Sequence, residues 1–311
     1  MKTIKIIALA CLTATALFSG CAFLQFLEPG VSVEDVQTIE VAPEPDSSVS
    51  IVIDQGNLVL ASTFEPNIRL VLSNRVQASS IENGRQFISD HLVKMVQTNS
   101  GQISLESRFG GIIDKWNIFA VHTTAVVYVP VGIQMTSLGI RLVNGNVTGT
   151  SENSIDTVSV SMDNGNIILD RVAASSLTLR SINGNIRAKA TELENGQVIT
   201  DNGNIELTVD SMAVQSVVTV KALNGNLDLN FNALAANAYW KLNVDNGNIN
   251  ARFSYFARND LKVRARCQNG SVNNSLPFSS MISMDKDFTG WFGNGSSLIE
   301  IATINGNVRI D

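Results

Sequence analysis

The chain has 311 residues, 44% hydrophobic and 16% charged, with 28 acidic against 22 basic side chains and 3 Cys. It is too long for a disulfide-stapled mini-protein, apolar enough to bury a core, and too acidic, at net charge -6, for a nucleic-acid-binding surface. Asn is the outlying residue: there are 32, none before Asn57, and 11 of the 22 Gly directly follow an Asn, so one backbone turn is built repeatedly.

Lys2 and Lys5 precede an uncharged, mostly apolar run from Ile6 to Phe18, then Ser19, Gly20 and Cys21. A basic start, a short apolar stretch and small residues at its exit describe a secretory signal peptide, and the run is too short for a membrane span of about 20 residues. Leu17-Phe18-Ser19-Gly20-Cys21 resembles a bacterial lipobox, with Phe18 in place of the usual Leu. The resemblance implies cleavage after residue 20 and lipidation of Cys21. Ala22, in place of a retention Asp, points to the outer membrane; an ordinary secretory peptide is the alternative. Without residues 1–20 the chain keeps 20 basic and 28 acidic side chains, and Cys267 is its one Cys besides Cys21, so no intramolecular disulfide is expected.

Residues 21–48 hold Pro29, Pro43, Pro45 and six acids, which reads as a stiff tether. Residues 49–137 read as degenerate coils, with worn corners at Asp54-Gln55-Gly56-Asn57, Asn83-Gly84 and Asn99-Ser100-Gly101. A short helix over Arg85–Met95 is expected to close the N-terminal end, because an open coil exposes unpaired backbone groups.

Residues 138–311 carry the regular repeat. Asn-Gly-Asn begins at Asn144, Asn164, Asn183, Asn202, Asn224, Asn246 and Asn305, with Gly145, Gly165, Gly184, Gly203, Gly225, Gly247 and Gly306 at the centres. A degenerate copy stands at Asn269-Gly270-Ser271, and residues 273–297 read as an insertion over the end of the stack. Four residues before each Asn every position is apolar (Ile140, Val160, Leu179, Val198, Val220, Leu242, Ala265, Ile301), and so is every position three after it. That is strand periodicity with one buried face. The buried parity changes across the triplet, which calls for a left-handed residue at Gly and places the first Asn inward, in a column of mutually bonded amides. The expected fold is all-β: a single-stranded parallel β-solenoid, β-helix-like, with coils of about 20 residues and an Asn-Gly-Asn corner. Antiparallel hairpins with Asn-Gly turns are the alternative.

Strand, Asn-Gly-Asn and strand every twenty residues, following Val126-Val127-Tyr128-Val129-Pro130, resemble the bacterial putative adhesin family, a β-strand-repeat domain of unknown function. Gly293-Asn294-Gly295 before Thr303-Ile304-Asn305-Gly306-Asn307-Val308 is similar to that family's ending. The resemblance spans roughly residues 50–311. It implies an adhesive role and brings no catalytic residues.

Chemistry is sparse. His91 and His122 stand in unrelated contexts, and no zinc, Walker-loop or nucleophile-elbow spacing occurs, so no metal or cofactor is expected. Asp163, Asp201 and Asp245 before the triplet read as solvated turn residues, with calcium the alternative. Cys267 falls on the buried face and reads as a small core residue. Tyr255, Phe256, Trp291 and Phe292 are candidate contacts for a glycan or a protein, or else a plug for the C-terminal end; Trp240 has core parity. The expectation is a non-enzymatic, lipid-anchored binding or envelope-scaffold protein, with a polysaccharide-cleaving β-helix enzyme as the alternative.

Overall fold

The computed structural model describes residues 30–44, 47–91, 94–97, 102–108, 117–191 and 193–311. Cys21 and Asn99-Ser100-Gly101 lie outside them. Among the described residues 21 strands join in one sheet, accompanied by one α-helix.

The N-terminal part runs β1 (Val31–Val41), β2 (Ser48–Thr63), β3 (Ile68–Ala78), α1 (Ile81–His91), β4 (Lys94–Gln97), β5 (Gln102–Ser107) and β6 (Ile118–Pro130). The repeats run β7 (Met135–Asn164), β8 (Ile167–Asn183), β9 (Ile186–Thr191), β10 (Leu193–Asn202), β11 (Ile205–Val209), β12 (Met212–Asn224), β13 (Leu227–Phe231), β14 (Tyr239–Asn246), β15 (Ile249–Phe253), β16 (Leu261–Asn269) and β17 (Val272–Asn274). Last come β18 (Ser280–Ser283), β19 (Asp287–Trp291), β20 (Ser297–Asn305) and β21 (Val308–Ile310).

Each regular coil is a strand ending at the first Asn, the Gly-Asn corner, and a second strand. Successive coils pair in parallel with corner on corner: Asn183 on Asn164, Asn202 on Asn183, Asn224 on Asn202 and Asn246 on Asn224. The apolar positions on either side of the corner make one continuous core. Val198, Leu207, Val220, Leu229, Trp240 and Leu242 are fully buried in it.

The sheet is mixed, so an all-parallel stack is corrected at both ends. β1 lies antiparallel on β3, and β3 antiparallel on β6. β19 lies antiparallel on β16, and β18 antiparallel on β19. Antiparallel strands close a coil that has no further coil to cover it.

Chain order is not stacking order either. β20 inserts between β14 and β16, with Asn305 on Asn246 on one side and on Asn269 on the other. The degenerate corner at Asn269 is therefore the outermost layer, and the stretch expected to cover the stack makes β17, the β18–β19 hairpin and the way back in. At the other end Gln55-Gly56-Asn57 sits on Asn144-Gly145-Asn146, and β2 lies between β7 and the layer of β5 and β6. Nine corners from Gln55 to Asn269 are thus in register. Their eight steps at about 4.8 Å give about 38 Å.

Two N-terminal expectations are corrected. Val31–Val41, within the expected tether, is a strand: Val33 and Val41 are buried and pair with Val76 and Ile68 of β3. Asn83-Gly84 is not a corner but lies in the first turn of α1, which begins earlier than expected. Ser80 caps it by accepting the Asn83 N–H at 3.2 Å. The helix buries Phe87 and Ile88 with Val33, Val76, Ile118 and Val121 in a second, smaller core, so it does cover this end.

Candidate binding surface

The corner defines the longest uniform surface of the molecule. Nδ2 of each first Asn donates to Oδ1 of the Asn in the neighbouring layer: Asn164 to Asn144, Asn183 to Asn164, Asn202 to Asn183, Asn224 to Asn202 and Asn246 to Asn224, each at 2.9 Å. Asn305 continues to Asn246, and Asn269 to Asn305, at 2.8 Å. The second Asn of each triplet makes a parallel column in which the backbone N–H donates to the neighbouring Oδ1, as from Asn185 to Asn166 and from Asn226 to Asn204.

These amides face outward: Asn144, Asn164, Asn183, Asn202, Asn224 and Asn246 are exposed. The inward first Asn is corrected. The inner side of the corner is taken by the glycine peptide itself, whose carbonyl accepts from hydroxyls two residues before the next triplet. Ser181 donates to Gly165, Thr200 to Gly184 and Thr303 to Gly247, at 3.0–3.1 Å. This is why buried positions that hold Leu142 and Met162 in early coils accept Ser or Thr later. The glycine conformation is also not the helical left-handed one: Gly165 has φ +140° and Gly145 +149°, a mirror-extended backbone open to Gly and to almost nothing else. A Cβ on Gly165 would overlap the carbonyl oxygen of Gly145.

The four candidate aromatics separate into two pairs. Tyr255 and Phe256, on a 3₁₀ turn (Tyr255–Arg258), are 78% and 72% exposed and pack edge to face at 5.9 Å. Among the described residues they meet each other but no other ring. Trp291 and Phe292 are half-buried at the end of the stack: Phe292 packs on Phe278 at 4.5 Å, and Phe278 on Phe288 at 5.3 Å. Lys262 Nζ lies 5.2 Å over the Trp291 ring. Trp240 is core, edge-on to Phe231 at 5.0 Å, with Phe231 stacked on Phe253. An open cavity of about 520 Å³ lies beside Tyr255, between Arg258, Asp260, Pro277 and Phe292.

A larger open cavity, about 700 Å³, runs under the turn joining β18 to β19. Lys221, Asp245, Arg266, Lys286 and Asp287 line it. Arg266 pairs with Asp287 at 3.4 Å, and Lys286 Nζ donates to the Gln268 carbonyl at 2.9 Å. Cys267 is buried at its floor, and burial pushes its thiol pKa up, which suppresses the thiolate. His122 is exposed, its Nε2 3.3 Å from Nδ2 of Asn57. Among the described residues no group of three or more His, Cys, Asp or Glu could hold a metal ion.

Sequence reasoning missed this cavity and the exposed Met281, Ile282 and Met284. Lys221 and Arg266 do share one outward row, three residues before their corners, but only β20's return sets the layers between them. The uncharged run Ser279–Met284 was the available signal for the apolar edge.

The chain belongs to the Toastrack DUF4097 family, whose model matches residues 67–311. None of the curated proteins matches it. Among solved structures it is similar to a putative adhesin from Bacteroides fragilis, with 11% identity over 89% of this chain and 97% of that one, TM-score 0.47. A putative adhesin from Parabacteroides distasonis is similar over 89% and 97%, at 11% identity and TM-score 0.40. A putative lipid binding protein from the same species matches over 89% and 96%, at 10% identity and TM-score 0.38.

Proposed function

We infer that the protein is an exported, membrane-anchored, non-enzymatic binding protein of the cell envelope, held by lipid on Cys21 at the outer membrane. In this reading the parallel solenoid is a spacer that carries a contact surface away from the membrane. The observation that carries it is the exposed Tyr255–Phe256 pair: two large aromatic side chains that the core does not use, beside an open cavity with Arg258 and Asp260 at its rim. Aromatic faces next to charged and polar groups suit a sugar ring or a protein segment. Family membership supports the fold on which this rests. The recurring residues are accounted for by the corner, which leaves no catalytic constellation among the repeats to explain.

The test is binding of the full chain to a panel of envelope glycans and host-matrix proteins, with single Ala variants of four aromatics. Tyr255→Ala and Phe256→Ala should abolish binding at unchanged thermal stability. Trp291→Ala and Phe292→Ala should lower stability, because the Phe292 ring packs on Phe278 and the core, and the Trp291 ring carries the Lys262 ammonium over its face. Reproducible polysaccharide cleavage, lost when Asp245 or Asp287 is changed, would establish the enzyme reading instead.

A further inference from the structure

Among the described residues β1, β4, β17 and β18 each pair with a single strand, and β1 and β18 are finished differently. At the N-terminal end β1 carries Glu34, Asp35 and Glu40, charges that discourage pairing with another chain. At the other end β18 is uncharged, and all four of its residues are exposed. Met281, Ile282 and the adjoining Met284 are 59%, 58% and 65% exposed. Nothing else in the described molecule combines a free strand edge with three large exposed apolar side chains.

The backbone of β18 is equally specific. The Met284 N–H donates to the Asp287 carbonyl at 2.8 Å, closing a two-residue turn at Asp285-Lys286. Ile282 stands opposite Thr289 and Ser280 opposite Trp291, so the even-numbered residues bond to β19. Met281 and Ser283 therefore point their N–H and C=O groups away from it, along an edge that pairs with no other strand among the described residues. Bonds from the turn hold the edge in place: Cys267 N–H to the Lys286 carbonyl at 2.9 Å, and Val272 N–H to the Asp285 carbonyl at 3.1 Å.

We propose that this edge pairs with the β18 edge of a second copy of the chain. Two donors and two acceptors arranged evenly about Ile282 are self-complementary. Under a two-fold axis Met281 bonds to Ser283 of the second copy, and Ile282 faces Ile282 across a non-hydrogen-bonded pair with Cα atoms about 4.5 Å apart. The charges fit as well. In that register Asp285 comes opposite Ser279 and Lys286 opposite Phe278, so no like charges meet. A lipid surface would cover the apolar side chains but leave these four backbone groups without partners.

The pairing continues the sheet, so the two stacks run end to end and their N-terminal ends point in opposite directions. If Cys21 carries lipid, as under Proposed function, such pairs join copies on facing membranes. The contact itself does not depend on that anchoring.

The experiment uses the full chain. Sedimentation should show the 33.5 kDa chain doubling in mass with concentration. Ile282→Cys should cross-link into dimers on oxidation, with Val214→Cys, exposed elsewhere, as the control that does not. Ile282→Lys and Ile282→Glu should each be monomeric with unchanged thermal unfolding, and an equimolar mixture of the two should dimerise, because position 282 faces itself. A chain that stays monomeric and gives no more cross-link at 282 than at 214 would overturn the proposal. So would phosphatidylglycerol vesicle binding by a monomeric wild type that is lost in Ile282→Lys, which would assign the edge to lipid. Loss of lipid labelling at Cys21 with dimerisation intact would refute the anchoring alone.

Discussion

Gly165→Ala is the most informative single substitution in the fold. Gly165 has φ +140°, its N–H donates to the Asn183 carbonyl at 2.9 Å, and its carbonyl accepts from Ser181 at 3.1 Å. The added Cβ points at the Gly145 carbonyl of the neighbouring layer, so that layer must move away or the backbone must leave its Gly-only region. Backbone strain of about 1–3 kcal/mol and one weakened hydrogen bond of about 1 kcal/mol give a destabilisation of about 2–4 kcal/mol. For a domain of this size that lowers Tm by roughly 5–15 °C. Thermal unfolding by circular dichroism reads it directly, with Asn164→Ala as the comparison. The latter removes two exposed amide bonds and should cost less, about 1–2 kcal/mol. A Gly165→Ala protein within about 0.5 kcal/mol of wild type, or less perturbed than Asn164→Ala, would refute the steric account of the corner.

Asn202→Leu should cost about 1–2 kcal/mol by breaking its bonds to Asn183 and Asn224, while Asp201→Ser, which loses only an exposed contact with Arg180 at 3.8 Å, should stay within about 0.5 kcal/mol in urea unfolding. Tyr239 donates to Glu300 at 2.7 Å, and that hydrogen bond, then burial and the Glu300 charge, raise its pKa above 10. The folded state thus keeps this proton after the unfolded state has lost it, so the stabilisation is complete below pH 10 and lost as pH rises through the raised value. The stability gap between wild type and Tyr239→Phe should therefore narrow in alkaline unfolding experiments, and an unchanged gap would contradict the bond. The Cys267 thiol, buried and held protonated, should react with iodoacetamide at pH 8 only after denaturation, read by mass spectrometry.

Much of the stack is legible in the sequence because two periodicities coincide. Alternation places Val198 and Ile205 inside, and the triplet marks where the parity changes. Stacking order is not legible: an Asn column accepts any triplet at any layer, so nothing local tells Asn305 to enter between Asn246 and Asn269. The outward direction of the amides was missed because parity was carried to the corner itself, where the glycine peptide and the hydroxyls of Ser181 and Thr200 fill the inner side. β1 escaped notice because its Glu34, Asp35 and Glu40, charges that protect an edge strand, make Val31–Val41 look like solvated linker. Of the candidate site, the aromatics were identifiable but their roles were not. Phe256 and Phe292 differ in whether Phe278 is folded nearby, and that depends on the return of β19 over β16.

Presentation of a contact surface at a membrane requires that the chain be anchored, and fatty-acid labelling of cells producing the full chain measures this directly. The account predicts a labelled, membrane-associated protein, with label and membrane association both lost in Cys21→Ala. Equal labelling of the two, or wild-type protein recovered unlabelled in the medium, would contradict it.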